Sequence, residues 1–169
     1  MEKTKKITLL ANLLAIAIVL NIIESAIPII PVPGAKIGFA NIVTLIVLYI
    51  YGFKDAMTLS LLRVLLVGVL AGRLLGPTFM MGLSGAIVST MVMGIMKKSG
   101  FFGILGVSVV GSVFHAIGQI SAGIFVIGSV AVLAYLPIML LISVPAGALT
   151  GIIATKFYVI WQSWQNVQR

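Results

Sequence analysis

Four ionisable side chains fall in or beside otherwise apolar stretches of this chain: Glu24, Lys36, Arg63 and Arg73. Three are positive and one is negative, so together they carry an excess of +2. A guanidinium offers its N–H donors as a planar fork that fits a carboxylate or a phosphate. Arg63 sits ~7 residues into an apolar run, or ~10 Å along a helix rising 1.5 Å per residue. An arginine at the centre of a membrane costs about 2.5–3.5 kcal/mol. Pairing with Glu24, snorkelling or water relieves part of that cost, and an anionic ligand would neutralise the remaining charge.

Three neutral polar residues join this set. Asn41 ends the loop that carries Lys36, and His115 and Gln119 lie four apart in a later apolar run. With Ser108 and Ser112 they make a polar stripe at steps of four, three and four, on one helical face. Asn21, Glu24 and Ser25 share a face in the same way. Two readings stand side by side. Arg63 with Glu24 is either a structural ion pair or half of a binding site. His115 with Gln119 either crosslinks helices or touches a ligand. Lys36 is either solvated or ligand-facing, and Arg73 is either a snorkelling anchor or a second cation for the ligand. Drawn from three helices and a loop, the polar set resembles a cavity lining more than scattered glue.

Other chemistry is excluded. No Gly-x-x-x-x-Gly-Lys-Ser/Thr loop is present, so ATP is not used by that route. The acidic residues are Glu2, Glu24 and Asp55, too few on one side for a carboxylate pair or a Mg²⁺ site. One histidine and no cysteine leave no metal-ligand cluster and no thiol nucleophile. No cofactor is implied, and an enzyme is not expected.

The elements that must position these residues are membrane helices. The 169 residues are 61% hydrophobic and 8% charged, with mean hydropathy +1.26, against about 25% charge in a soluble domain. The apolar runs predict a single-domain, all-α bundle of six transmembrane helices over about 7–27, 37–51, 56–75, 79–96, 102–127 and 133–161. The first run is too long for a signal-peptide core. Pro28, Pro31 and Pro33, with two glycines and Lys36, make Pro28–Asn41 a rigid loop, read here as a lid. Gly68, Gly72 and Gly76 form a small-residue stripe for a neighbouring backbone, after which Pro77 breaks the third helix. Pro137 and Pro145 predict a sixth helix that is kinked or starts late. Tyr158, Trp161 and Trp164 suit a membrane interface.

The charge of +8 belongs to helix ends, not to a nucleic-acid stripe. With the N-terminus inside, Lys3, Lys5, Lys6, Lys54, Lys97, Lys98, Lys156 and Arg169 are cytoplasmic, against Lys36 and Arg73 outside. This bias predicts a multi-pass protein of the cell membrane with both termini cytoplasmic and the Pro28–Asn41 loop extracellular. Ala11 and Ala15, one turn apart, permit close helix contact, though alanine is common in such helices.

Taken in order, Glu24–Pro28, Lys36–Asn41, Gly76–Phe79, Gly82–Gly85 and His115–Gln119 resemble the Gx transporter family, also labelled heptaprenyl diphosphate synthase component I. The resemblance runs over nearly the whole chain. That family is similar to the substrate-binding S components of energy-coupling factor (ECF) transporters of bacteria, six-helix proteins whose extracellular first loop covers the ligand. The resemblance implies an outward-facing cavity for an anionic or amphipathic small molecule: a vitamin, flavin, quinone or isoprenoid precursor. It implies an ECF coupling subunit meeting Ala11 and Ala15, with separate ATPase subunits supplying the energy. The alternative is an accessory membrane subunit of heptaprenyl diphosphate synthase or quinone biosynthesis. Prenyl diphosphate synthases grip Mg²⁺-diphosphate with aspartate-rich motifs, whereas this chain has Asp55 alone.

Overall fold

The computed structural model describes residues 3–26 and 39–167. Most of the Pro28–Asn41 loop, Lys36 included, lies outside the described residues, as do Glu2 and Arg169. Among the described residues the fold is all-helical: α1 (Lys3–Ala26), α2 (Phe39–Ile50), α3 (Phe53–Leu70), α4 (Pro77–Ser99), α5 (Ile104–Ile127), a 3-10 helix (Val130–Tyr135) and α6 (Leu136–Val167). Four stretches of these are long and apolar enough to cross a membrane: Lys3–Ser25, Pro77–Ser99, Ile104–Ile127 and Val130–Val167. The chain is a multi-pass membrane protein on that measure.

Two of the six expected helices fall outside that measure. At 12 residues, α2 reaches only about 18 Å, short of a ~30 Å hydrocarbon core. Its residues from Ile42 to Leu48 are all buried, so it is a central strut enclosed by the other helices. A helix that is apolar all round belongs in such a place. The second exception is α3, which carries Lys54, Asp55 and Arg63 within eighteen residues.

The third helix also ends five residues earlier than its apolar pattern predicts, at Leu70. Gly72 takes a left-handed φ of 61°. Its N–H donates to the Val69 carbonyl at 3.1 Å, while the Arg73 N–H donates to the Gly68 carbonyl at 2.9 Å. This is the Schellman arrangement, which closes a helix by satisfying its last carbonyls. Gly68, Gly72 and Gly76 are therefore not a helix-packing stripe. Gly68 lies under the Phe79 ring, Gly72 caps α3, and Gly76 precedes α4. Nor does Pro77 break α3: it opens α4, where its missing N–H costs nothing. The sixth helix starts late, at Leu136, and continues through Pro145.

The helices alternate in direction, which gives the bundle two distinct ends. At one end Lys6 pairs with Asp55 at 2.8 Å, tying the start of α1 to the start of α3. There too the Lys97 ammonium donates to the Leu48 carbonyl at 2.7 Å, closing the last turn of α2, and Tyr49 meets Tyr158 of α6 edge-on at 5.8 Å. This end holds the basic helix termini. The other end receives the last turns of α1, α3 and α5 and the first turns of α2, α4 and α6.

Helix α5 is held between α4 and α6 by bare backbone. A Cβ added at Gly118 would stand 3.1 Å from the Gly85 Cα, and one at Gly151 would stand 2.9 Å from the Leu105 Cα. Such approach replaces the hydrophobic drive that is missing between helices in lipid. Polar side chains close the same seams: the Ser84 hydroxyl donates to the Gly118 carbonyl at 2.9 Å, and Ser108 and Thr150 share a hydrogen bond of 2.7 Å. Gly151→Ala must push α6 off the α5 backbone, at about 1–3 kcal/mol. The expected result is a melting temperature in detergent lowered by roughly 5 °C. Gly82→Ala, with nothing within 4 Å of its new methyl group, is expected to melt like the wild type.

Candidate functional site

The site begins with the register of α3. Ala56, Leu59, Ser60 and Arg63 are its buried face, spaced three and one and three apart. That face turns toward α2 and the core, so Arg63 follows its apolar neighbours inward and is only 3% exposed. One more turn along, the same face carries Val67 and Gly68.

Two groups answer the charge of Arg63. Its Nη2 donates to the Asn41 Oδ1 at 3.3 Å, a long bond from the first turn of α2. Glu24, near the end of α1 and itself buried, lies close enough for its charge to act on the guanidinium. A guanidinium has five N–H donors. The Arg63 Nε donor is buried and has no hydrogen-bond partner among the described residues.

Beside Arg63 opens a cavity of about 210 Å³. Helix α1 contributes Asn21, Glu24 and Ser25, α2 contributes Asn41, and α5 contributes His115 and Gln119. Arg73 reaches it from the short segment after α3. Thr78 and Phe79, in the first turn of α4, bring the positive end of that helix to the same wall. Ile22, Val64, Val67 and the Phe79 ring supply the apolar part. Gly82 faces open space here, so the cavity exists at that point because the residue has no side chain.

Six of the seven residues singled out for ligand contact therefore line one cavity: Glu24, Asn41, Arg63, Arg73, His115 and Gln119. The seventh, Lys36, lies outside the described residues. The α5 stripe divides along its length. His115 and Gln119 face the cavity across Gly85, whereas Ser112 packs on Gly147 and Ser108 on Thr150 of α6. Arg73 is in a turn, not at a helix end. Thr78, Phe79 and Gly82 also line the cavity; they stand in the Gly76–Phe79 and Gly82–Gly85 motifs of the resemblance but were not assigned to ligand contact. Pro77 was the available signal for the first two, because a proline at the first helical position aims that first turn.

Electrostatically the lining is positive. Arg63 and Arg73 outweigh Glu24 by one charge, before the helix end is counted. Among the described residues no group of three histidines, cysteines or carboxylates could hold a metal ion. The arrangement can hold a small anion whose acceptors reach the guanidinium groups and whose apolar part rests on Phe79 and the α3 valines.

No curated protein matches this chain, and neither does any solved structure. A family model does match it, over residues 13–157, and its description is heptaprenyl diphosphate synthase component I. That stretch holds the α1 acidic face, Asn41, both arginines and the α5 polar pair, so the cavity falls within the matched region. The chain belongs to the heptaprenyl diphosphate synthase component I family.

Proposed function

We propose that the protein is the substrate-binding membrane component of an ECF-type transporter, and that it holds an anionic or amphipathic small molecule in the Arg63 cavity. The observation that carries this reading is Arg63 itself: a guanidinium 3% exposed, beside a cavity, with a buried donor lacking a partner among the described residues. A donor left in that state costs about 1–3 kcal/mol. An anion's oxygen would recover that cost and offset the excess positive charge. In this reading Arg63 and Arg73 hold the anion, Glu24 and Asn41 orient the Arg63 plane, and His115 and Gln119 touch polar groups of the ligand. The protein binds and does not catalyse. Energy comes from ATPase subunits through a coupling membrane subunit, and the cavity end faces outward, as the lysine distribution favours.

The partner surface is supported by α1. Ala11 and Ala15 are both exposed, together with Thr8 and Asn12. A lipid-facing stripe of small and polar residues is better covered by another helix than by acyl chains.

A second reading rests on the family description, which names a synthase component. In that role the same cavity would hold a prenyl diphosphate or a related anion for a soluble synthase. The two readings share the anion and differ in the partner.

Two experiments test these statements. Native mass spectrometry of protein purified from its own membranes is expected to show a retained small anion in the wild type. Arg63→Met/Glu24→Met should lose it while melting at or above the wild-type temperature, because replacing a buried ion pair by apolar groups is neutral or stabilising. Gly82→Leu, which fills the cavity and touches nothing else within 4 Å at its Cβ, should also lose it. Retention of the ligand in both variants would remove the cavity from the function. For the partner, Ala11→Leu/Ala15→Leu is expected to abolish co-purification of coupling and ATPase subunits and to spare the retained ligand. Co-purification of a soluble prenyl synthase in their place would favour the second reading.

A further inference from the structure

A second cavity lies at the opposite, basic end of the bundle, far along α4 from the Arg63 site. It is an open groove of about 530 Å³ between the end of α2, the start of α3 and the last turns of α4. Its wall is apolar: Leu48, Phe53, Met91 and Ile95. Phe53, Met91 and Ile95 are 43%, 49% and 60% exposed, so the groove opens sideways off the bundle. Gly94 shapes it. A Cβ there would stand 2.5 Å from the Phe53 ring, so the ring lies against bare α4 backbone and leaves the slot beside it.

Lys97 and Lys98 close the polar end of this slot. Lys97 is fixed in place, with its ammonium bonded to the Leu48 carbonyl at 2.7 Å and 5.0 Å above the Tyr49 ring. One of its three N–H donors serves that carbonyl. Lys98 is exposed at the rim. Neither faces a carboxylate. Among the described residues Asp55 and Glu24 are the acidic ones; Asp55 is held by Lys6 at 2.8 Å, and Glu24 lines the other cavity. Lys54, exposed in the first turn of α3 beside Phe53, adds a third cation at this end.

We propose that this groove is a binding site for an anionic phospholipid, with one acyl chain along Phe53, Met91 and Ile95 and the phosphate diester on Lys97 and Lys98. A lipid-facing slot is apolar enough for any acyl chain, so the lysines set the choice. Two cations without a carboxylate favour a headgroup of net negative charge, such as phosphatidylglycerol, over phosphatidylcholine, whose own cation offsets its phosphate. The same contact closes α2, because an anion on Lys97 keeps that side chain at the Leu48 carbonyl. The lipid therefore ties the buried strut α2 to α4.

The test uses the full chain in nanodiscs of equal phosphatidylglycerol and phosphatidylcholine, read by native mass spectrometry after release. The wild type is expected to carry one phosphatidylglycerol in preference to phosphatidylcholine. Lys98→Gln should cut that preference roughly fivefold. Ile95→Trp fills the groove from an exposed position and keeps both lysines; it should remove the bound lipid altogether. Inorganic phosphate at millimolar concentration should leave it in place. Retention of the two lipids in their bulk ratio would overturn the proposal. So would undiminished phosphatidylglycerol in both variants, or its displacement by inorganic phosphate, which would make this a site for a free anion.

Discussion

A guanidinium enclosed by an apolar helical bundle must have its charge answered, and much of this structure is arranged around that demand at Arg63. The residue cannot snorkel, because the buried face of α3 directs it toward α2 rather than along the bundle to water. Its neighbours come from separate elements: Glu24 from α1, Asn41 from the first turn of α2 and Arg73 from the segment after α3. A full pairing with one carboxylate would end the matter. The presence of a second arginine and of a helix N-terminus on the same wall leaves the cavity positive, which suits an anion that comes and goes better than a permanent pair.

The rest of the fold keeps that cavity open. In lipid there is no hydrophobic drive to collapse a void between helices, so its shape depends on where backbones can touch. Glycine contacts at Gly85 with Gly118, and at Gly151 with Leu105, clamp α4, α5 and α6 into one rigid wall. Helix α2 is the strut on the other side. It is shorter than a membrane is thick, buried along seven consecutive residues, and fastened at its end by Lys97. Opposite ends of the bundle thus divide the work, with lysines and tyrosines binding the helices together at one and the arginine cavity lying at the other.

The membrane class and the helical content were legible in the sequence because apolar runs and their lysine-rich ends are strong one-dimensional signals. The convergence of Glu24, Asn41, Arg63, His115 and Gln119 was legible for a different reason. Polar residues in apolar helices are costly, so they gather where the cost can be shared. What escaped was local geometry. Hydropathy carries α3 smoothly through Leu74 and Leu75, and only the left-handed Gly72 ends it at Leu70. The three glycines at intervals of four looked like one packing stripe, yet each answers a separate need, and spacing alone does not separate them. The enclosure of α2 was hidden for a similar reason, since a run of apolar residues reads alike whether lipid or protein surrounds it. Gly82 stood out only as part of a family motif, because the open space beside it shows only in three dimensions.

The central claim is that the Arg63 guanidinium is completed by an anion drawn from outside the chain. It is tested most directly by a high-resolution density map of the wild-type protein purified from its own membranes, without added ligand. The account predicts an ordered anion in the cavity, with an oxygen within about 3 Å of the Arg63 Nε and a second contact from Arg73. A cavity holding only water, with Glu24 bound face to face on the guanidinium and Arg73 turned away, would contradict it.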